Sequence, residues 1–180
     1  TDDVTAINNA ITAAFNAGGG TVNLPPGDYR VSSYVLLKTG VTLKSYGGAT
    51  ITQANAANLT VLVSFSGAPD SVLDGVTVDG NRANNTDNSN VVLVYTTDTA
   101  RASVVNCTVV NSCGYGIAAN GSHFRALGNT VTNCRETGIA AFCADVGGAT
   151  DAYPVILRNT ISECAHAIIV GDANFSTIRD

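Results

Sequence analysis

Short runs that alternate apolar and polar residues recur along most of this chain, and three of them are near copies of one phrase. Each copy opens on Asn-Thr or Asn-Cys-Thr before Val or Ile, and continues after several residues to Gly-Ile-Ala-Ala or Ala-Ile-Ile-Val. The threonines that mark the three copies and a fainter fourth, Thr77, Thr108, Thr130 and Thr160, are 31, 22 and 30 residues apart. Repeats of this length built from short β-type runs predict a solenoid, because each repeat buries its apolar face only by stacking on its neighbours.

The order of runs inside one repeat predicts the kind of solenoid. Residues 155–157 form a β-type run that ends at the polar pair Arg158 and Asn159, a second run follows at once, and a third comes after a small residue. Asn tolerates the left-handed conformation better than most residues with a side chain, so it can turn the chain without ending the β-structure. Three short strands per turn predict an all-β, right-handed parallel β-helix of about six coils, the hand following from the crossover preference. A solenoid of helical repeats is the alternative, which the Thr, Val, Ile, Asn and Gly content disfavours.

The first 20 residues have a different pattern. Residues 1–17 show helical periodicity, Asp2 or Asp3 can cap the helix, and three glycines follow it. The apolar positions that share one helical face are Val4, Ile7, Ala10, Ile11, Ala14 and Phe15. An amphipathic helix directly before a solenoid predicts an end cap over the first coil. We therefore assign residues 1–20 to an N-terminal cap and residues 21–180 to the β-helix, which we expect to continue beyond residue 180.

Between the cap and the clear copies, Gly, Pro, Asn and Asp separate further strand-like runs. These runs are predicted at residues 21–24, 28–31, 35–38, 41–46, 49–53, 59–65, 71–78 and 91–97.

Composition narrows the possible partners. The 180 residues are 45% apolar, which suits a single domain with its own core, and the net charge is −5 with a pI near 4.7. That charge disfavours nucleic acid and anionic membranes as partners, and no apolar run is long enough for a transmembrane helix. Five cysteines lack metal-binding spacing. Cys134 and Cys164 occupy matching repeat positions, so we expect buried stacked thiols, with a disulfide between coils as the alternative in an oxidising compartment.

Two stretches resemble the pectate-lyase-like superfamily of single-stranded β-helix proteins. Residues 1–31, which include Ala-Gly-Gly-Gly-Thr-Val-Asn-Leu-Pro-Pro-Gly-Asp-Tyr, are similar to its N-terminal cap, and residues 73–82 are similar to a second common stretch. That superfamily includes phage tailspike depolymerases and mannuronan C5-epimerases. The resemblance implies part of a carbohydrate-processing protein that acts on an extracellular polysaccharide as a depolymerase, lyase, hydrolase or epimerase. It implies an extracellular or virion-surface location, a polysaccharide partner, and a homotrimer if the protein is tailspike-like.

In enzymes of this superfamily the sugar chain lies along one sheet, and the resemblance shows which runs should form it. These runs lie near residues 35–38, 60–65, 91–95, 116–119, 138–142 and 167–170. Because side chains alternate along a strand, Ala118, Ala140 and Ile169 should point outward, and none of them can transfer a proton. Mannuronan epimerases are similar to this chain through Gly-Tyr-Gly at Tyr115, but then supply an Asp and a His where Ala118 and Asn120 stand here. The difference argues against that mechanism and leaves Tyr115 and Asn120 as candidate sugar contacts.

The remaining candidates lie in loops beside the predicted groove. Residues 79–90 form a polar insertion in which Asp79 and Arg82 are candidate catalytic groups, and its carboxylate and amide oxygens can also bind a cation such as Ca²⁺, although we predict no obligatory cofactor. The alternative is a solvated turn in which the side chains satisfy backbone groups. A second insertion offers Asp145, Asp151 and Tyr153 as substrate contacts, or is simply variable surface.

A third candidate site pairs two neighbouring repeats. His166 matches Glu136 in the preceding repeat, so the two can act as acid and base across adjacent coils, or form only a surface pair. Arg135 can bind a uronate carboxylate, or lie in a solvated turn. Three functions stay open: a carbohydrate-processing enzyme, a non-catalytic glycan-binding module, and a structural shaft of a fibre or virion appendage. The outward row of Ala118, Ala140 and Ile169 favours the latter two for this segment.

Overall fold

A computed structural model describes residues 2–86, 88–97, 101–121, 123–142 and 153–171, together with the backbone of 177–179. One helix, α1 (Val4–Asn16), precedes the strands. The strands are, in chain order, β1 (Gly20–Asn23), β2 (Gly27–Val31), β3 (Val35–Leu36), β4 (Val41–Lys44), β5 (Ala49–Gln53), β6 (Val61–Ser64), β7 (Val72–Asp74), β8 (Thr77–Asp79), β9 (Val92–Thr97), β10 (Ser103–Val105), β11 (Thr108–Ser112), β12 (Tyr115–Asn120), β13 (Arg125–Leu127), β14 (Thr130–Phe142), β15 (Val155–Leu157), β16 (Thr160–Gly171) and β17 (Thr177–Arg179).

The strands wind into a parallel β-helix with three faces, as the repeats predict. Each recorded strand pairing is parallel. The first face stacks β1, β4, β7, β10, β13, β15 and β17; the second stacks β2, β5, β8, β11 and the first halves of β14 and β16. The third, which we call the groove face, stacks β3, β6, β9, β12 and the second halves of β14 and β16. The two long strands differ from the predicted short runs, because each passes from the second face to the groove face without a break.

A column of apolar side chains fills the interior behind the second face. Ile51, Val78, Val109, Val131 and Ile161 pair in register across five turns, and the first four are fully buried. The aligned phrases predict a buried column of Val78, Val109, Val131 and Ile161. The register and the burial of the three valines are as predicted, whereas Ile161 is only partly buried. Burying one such side chain stabilises the fold by about 1.5–3 kcal/mol. The marking threonines pair in an adjacent ladder, in which each threonine directly precedes a member of the column along the chain.

Left-handed residues turn the chain between the first and second faces, but they are not always Asn. Asn106 has a φ of 53°, whereas in the next two turns the corresponding residues are Gly128 at 66° and Arg158 at 56°. In those turns the asparagine is the following residue. Asn129 is buried, and its Oδ1 accepts a hydrogen bond from the backbone N–H of Cys107 at 2.9 Å. The predicted turning role of Asn is therefore correct in the first copy and wrong in the other two.

The helix α1 covers the first coil as an end cap, with Ile7 and Ile11 buried in the core. Ala10 and Phe15, expected on the same face, are exposed. The carboxylate of Asp2 ties the start of the helix to β2, since it accepts hydrogen bonds from the Val4 backbone N–H at 3.2 Å and from the Ser32 hydroxyl. Across the described residues, no helix is both long and apolar enough to cross a membrane.

The cysteines agree only partly with the expectation of buried thiols. Cys134 and Cys164 pair in register as predicted, but Cys134 is 2% exposed whereas Cys164, in the last turn of the second face, is partly exposed. Cys107, Cys134 and Cys164 are free thiols. Burial raises the pKa of Cys107 to about 12. Burial and the neighbouring Cys164 also raise the pKa of Cys134.

Candidate functional site

Five residues form the central row of the groove face. Ser64, Tyr95, Ala118, Ala140 and Ile169 pair in register across successive turns. The structure therefore assembles the sheet that the resemblance implies, and brings the three predicted outward residues into one row. The sequence prediction missed Tyr95, which replaces the alanine of the later turns. Aligning Val-Tyr-Thr of residues 94–96 with Ile-Ala-Ala of residues 117–119 would have placed it there.

Two members of this row, Tyr95 and Ala118, lie on the floor of an open groove of about 380 Å³, whereas Ala140 is fully buried. The residues that give the groove its chemistry are Asn90, Tyr95, Tyr115, Ala118, Asn120 and Phe142. Aromatic rings offer a flat apolar surface, and amide groups both donate and accept hydrogen bonds. A sugar ring presents the same two features, with apolar C–H edges and hydroxyl groups. The groove thus has the mixture of apolar lining and a few polar groups that is typical of a small-molecule site.

A tight corner places Tyr115 at the edge of this groove. The Ser112 hydroxyl donates a hydrogen bond to the Tyr115 carbonyl oxygen at 2.6 Å and accepts one from the Gly114 N–H at 3.1 Å. Glycine is required between them, because a Cβ at Gly114 would lie 2.3 Å from the carbonyl oxygen of Val91. The Tyr115 N–H then donates to that same oxygen at 2.7 Å, which fixes the start of β12 against the preceding turn.

Asn120, at the other end of β12, has an unused hydrogen-bond acceptor. Its Oδ1 atom is buried and has no hydrogen-bond partner within the described part of the chain. Leaving a buried acceptor without a partner costs about 1–3 kcal/mol, so such atoms commonly mark a place where a ligand or water donates. Both Asn120 and Tyr115 were predicted as sugar contacts, and the structure brings them into one groove.

A second concave site, which we call the corner pocket, lies between the second face and the groove face. It has a volume of about 510 Å³ and is lined by Asp79, Asn81, Arg82, Asn111 and Asn133. Asp79 Oδ1 accepts hydrogen bonds from the Asn81 N–H at 2.8 Å and from Asn111 Nδ2 at 2.9 Å. Asn111 Oδ1 in turn accepts from Asn133 Nδ2 at 2.8 Å, so the amides form a ladder along the helix axis. Asp79 therefore satisfies a backbone group and also lines a pocket with Arg82.

The predicted Glu136–His166 pair does not have the expected register. His166 pairs with Thr137, because a bulge between Cys134 and Thr137 leaves Glu136 outside the regular ladder. Glu136 instead lies near Arg135, with 3.8 Å between Arg135 Nε and Glu136 Oε1. The matching of repeats from sequence missed this bulge, which shifts the register by one residue.

Of the three candidates from the second insertion, Tyr153 alone lies within the described residues. Asp145 and Asp151 lie outside the described residues, as does Asp87 of the first insertion. Tyr153 lies on the first face, with its ring centroid 5.6 Å from that of His123. No group of three or more His, Cys, Asp or Glu side chains that could hold a metal occurs in the described ranges. Calcium binding by the polar insertion stays a prediction.

Comparisons with known proteins agree with this geometry. The profile of a family described as a right-handed β-helix region matches residues 90–180. Two curated relatives from Azotobacter vinelandii are the mannuronan C5-epimerases AlgE6, 40% identical over 100 residues, and AlgE4, 38% identical over 97 residues. The aligned segments are 48% and 46% of this chain but only 11% and 18% of those proteins. The solved A-module of AlgE4 superposes on 89% of this chain and 55% of its own with a TM-score of 0.64 at 21% identity, a likeness of fold.

Proposed function

Because the chain belongs to the right-handed β-helix family, we propose that it is part of a carbohydrate-processing protein and holds a polysaccharide in its groove. Two relatives are named mannuronan C5-epimerases, and mannuronan is a polysaccharide, which supports this substrate class. We also propose that the protein acts outside the cell or on a virion surface. Oligomeric state, including the trimer expected of a tailspike-like protein, stays a prediction.

The unpartnered Oδ1 of Asn120 is the observation that carries the proposal. A buried acceptor beside Tyr95 and Tyr115 suits a ligand that combines hydroxyl donors with an apolar ring face. A sugar hydroxyl would supply the missing hydrogen bond, while the tyrosine rings would pack against the C–H face of the same unit. A purely apolar ligand would leave the Asn120 oxygen without a partner.

Binding rather than chemistry is the function that the groove floor supports best. Ala118, Ala140 and Ile169 have no group that accepts or donates a proton, and elimination or epimerisation at a uronate requires a base for the proton next to the carboxylate. In this proposal the groove positions the polysaccharide.

A second candidate function is acid–base catalysis at the corner pocket. Asp79 and Arg82 line it together, which provides one carboxylate and one guanidinium beside the amides of the ladder. A carboxylate can remove a proton and a guanidinium can stabilise the oxyanion that develops. Catalysis at the corner pocket requires Asp79, whereas sugar binding in the groove does not, so the two candidate functions can be tested separately.

Binding of a panel of neutral and acidic polysaccharides tests the first candidate. We expect Asn120→Ala and Tyr115→Ala each to weaken binding roughly five- to tenfold, since one hydrogen bond contributes about 1 kcal/mol and a ring contact a similar amount. Tyr46→Ala is the matched control, because Tyr46 is 85% exposed and does not line the groove. Unchanged affinity in both groove variants would contradict sugar binding at this site.

Product analysis of the same incubations tests the second candidate. Catalysis at the corner pocket would release unsaturated or reducing ends, or convert the uronate, and Asp79→Asn would abolish this while leaving binding in the groove intact. Turnover that persists in Asp79→Asn would exclude Asp79 as the base.

A further inference from the structure

The first face carries a polar ladder that shares no residue with the lining of the groove. Asp70, Arg101, His123 and Tyr153 recur at the same intervals as the marking threonines, one residue in each of four successive turns. The first three also share a left-handed backbone, with φ values of 58°, 59° and 58°. Such a repeated conformation shows that the chain turns onto the first face at the same point in each coil. Their side chains are therefore stacked along the helix axis, at about 4.8 Å per turn.

These four residues line a cavity of about 440 Å³ together with Arg125. Arg125 begins β13 and pairs in register with Ser103 of the preceding turn. Its side chain is exposed, and the described residues provide it with neither an ion pair nor a side-chain hydrogen bond. The charge of Arg125 is therefore available to a ligand.

Arg101 provides the cavity with further hydrogen-bond donors but no net charge, because Asp70 balances its charge. Its Nε and Nη2 atoms contact Asp70 Oδ1 at 2.5 Å and Oδ2 at 2.7 Å, a two-point ion pair that holds the guanidinium in place. Since a guanidinium has five N–H groups, these contacts leave about three for other acceptors. The hydrogen bond from Arg101 lowers the pKa of Asp70, so the pair stays ionised at neutral pH.

An aromatic pair forms the other end of the cavity. The rings of His123 and Tyr153 have centroids 5.6 Å apart and are tilted by 56°, and Tyr153 is 37% exposed. Such a pair presents a ring surface beside the guanidinium of Arg125. Cationic donors next to an aromatic surface suit a ligand that has both an oxyanion and an apolar ring face.

We propose that this strip, formed by Asp70, Arg101, His123, Arg125 and Tyr153, is a second glycan-binding site, specific for an acidic sugar unit. Arg125 binds the carboxylate of the sugar in a two-point contact, Arg101 donates to neighbouring oxygens, and the aromatic pair packs against the sugar ring. The net charge of −5 disfavours the binding of a polyanion to the molecule as a whole. The strip differs locally, because it has two arginines and one aspartate.

The strip and the groove are separate sites on different faces. The groove offers aromatic rings and amides without a full charge, so it does not distinguish neutral from acidic sugars by electrostatic attraction. The strip includes the guanidinium of Arg125, which has no ion-pair partner among the described residues, so it attracts an acidic sugar more strongly than a neutral one. The proposal therefore stands whether or not the groove binds sugar.

The test is titration of the complete 180-residue chain with oligouronates, a neutral dextran and dextran sulfate, at low salt and at 0.5 M salt. We expect oligouronates to bind, and Arg125→Gln to weaken that binding about tenfold or more. Arg30→Gln is the matched control, because it removes the same charge from an exposed position on β2 of the second face and should change affinity less than twofold. Arg125→Lys should recover only part of the affinity, since an ammonium cannot make the two-point contact. High salt should weaken binding, as expected for an exposed ion pair.

Two further variants separate this site from the groove. Tyr153→Ala should weaken oligouronate binding, whereas Tyr46→Ala, at an exposed tyrosine outside both sites, should not. The loss in Tyr153→Ala should persist when Tyr115 is also replaced by Ala, so failure of the groove proposal leaves this one intact. Equal losses in Arg125→Gln and Arg30→Gln would reduce the effect to net charge and overturn the proposal. Tighter binding of dextran sulfate than of oligouronates, with no loss in Tyr153→Ala, would overturn it as well, since the strip would then be a general polyanion site.

Discussion

Replacing Val131 with Asp tests the register of the whole β-helix, because Val131 lies at the centre of the buried column. It is fully buried and pairs with Val109 in one neighbouring turn and with Ile161 in the other. An aspartate there loses the burial of the valine, which stabilises the fold by about 1.5–3 kcal/mol. It also places a carboxyl group among apolar side chains, where desolvation raises its pKa.

The charge adds the larger part of the expected loss at neutral pH. If burial raises the pKa of the new carboxyl by about three units, keeping it neutral at pH 7 costs about 4 kcal/mol, since one unit corresponds to 1.36 kcal/mol. Together with the lost burial, the free energy of unfolding should fall by roughly 5–7 kcal/mol. That is comparable with the whole stability of an ordinary domain, which is about 5–15 kcal/mol. Val131→Ala should cost only about 2 kcal/mol, because it introduces no charge.

Urea unfolding followed by circular dichroism at pH 7 and at pH 4 gives the decisive comparison. The folded-state pKa of the new carboxyl is raised above its unfolded value, so the folded state binds more protons and the penalty grows as pH rises. Relative to the native protein, the deficit should therefore shrink by roughly 3–4 kcal/mol at pH 4. Thr130→Asp is the control, because Thr130 is the exposed neighbour on the same strand and should change stability by less than about 1 kcal/mol. A deficit of Val131→Asp that is small, or equal at both pH values, would refute the buried column.

Two further measurements test the core and the cap. At pH 8 we expect a thiol reagent to modify Cys164 in the folded protein before Cys107 and Cys134, because burial raises the pKa of the latter two and only the thiolate reacts. All three cysteines should react in urea. Rapid labelling of Cys134 in the folded protein, measured by peptide mass spectrometry, would place Cys134 outside the core. We also expect Asp2→Asn to lower the urea midpoint at pH 7 but not near pH 2. Hydrogen bonds from Ser32 and Val4 lower the pKa of Asp2, so its contribution is present above the unfolded value of 3.8 and is lost as the pH falls through the lowered folded value. A midpoint difference that is the same at both pH values would contradict this assignment of the cap.

The alternating pattern predicted the positions where each turn repeats the one before it. Thr130 and Val131 align with Thr108 and Val109 in sequence and pair with them in the structure, because a parallel β-helix stacks equivalent residues directly. Register fails where one turn has an extra residue. The bulge after Cys134 separates Glu136 from His166, and nothing in the local sequence shows which residue will be left unpaired.

The candidate site was predictable only in part for a related reason. Tyr115 and Asn120 lie within a clear copy of the phrase, so the resemblance identified them. Tyr95 lies in an earlier turn without the marking phrase, and only strand pairing places it beside Ala118. The strip on the first face escaped the sequence prediction because its members are unlike each other in chemistry. What the strip residues share is a backbone conformation, as the φ values of Arg101 and His123 show, and not a residue type.

The fold assigns different chemistry to its faces and corners, and this bears on how the protein can act. In the central row of the groove face, Ala118 and Ala140 are small, buried side chains that offer no base. A proton acceptor for a sugar in the groove must then come from a corner, where left-handed turns stack polar side chains along the axis. Asp79 is such a group, but its Oδ1 already accepts hydrogen bonds from Asn81 and Asn111. Since these two hydrogen bonds occupy Oδ1, the same ladder that holds Asp79 in place also limits the access of a substrate proton to this oxygen. These limits on a base are the reason why we propose positioning of a polysaccharide, and not catalysis, as the function of the groove.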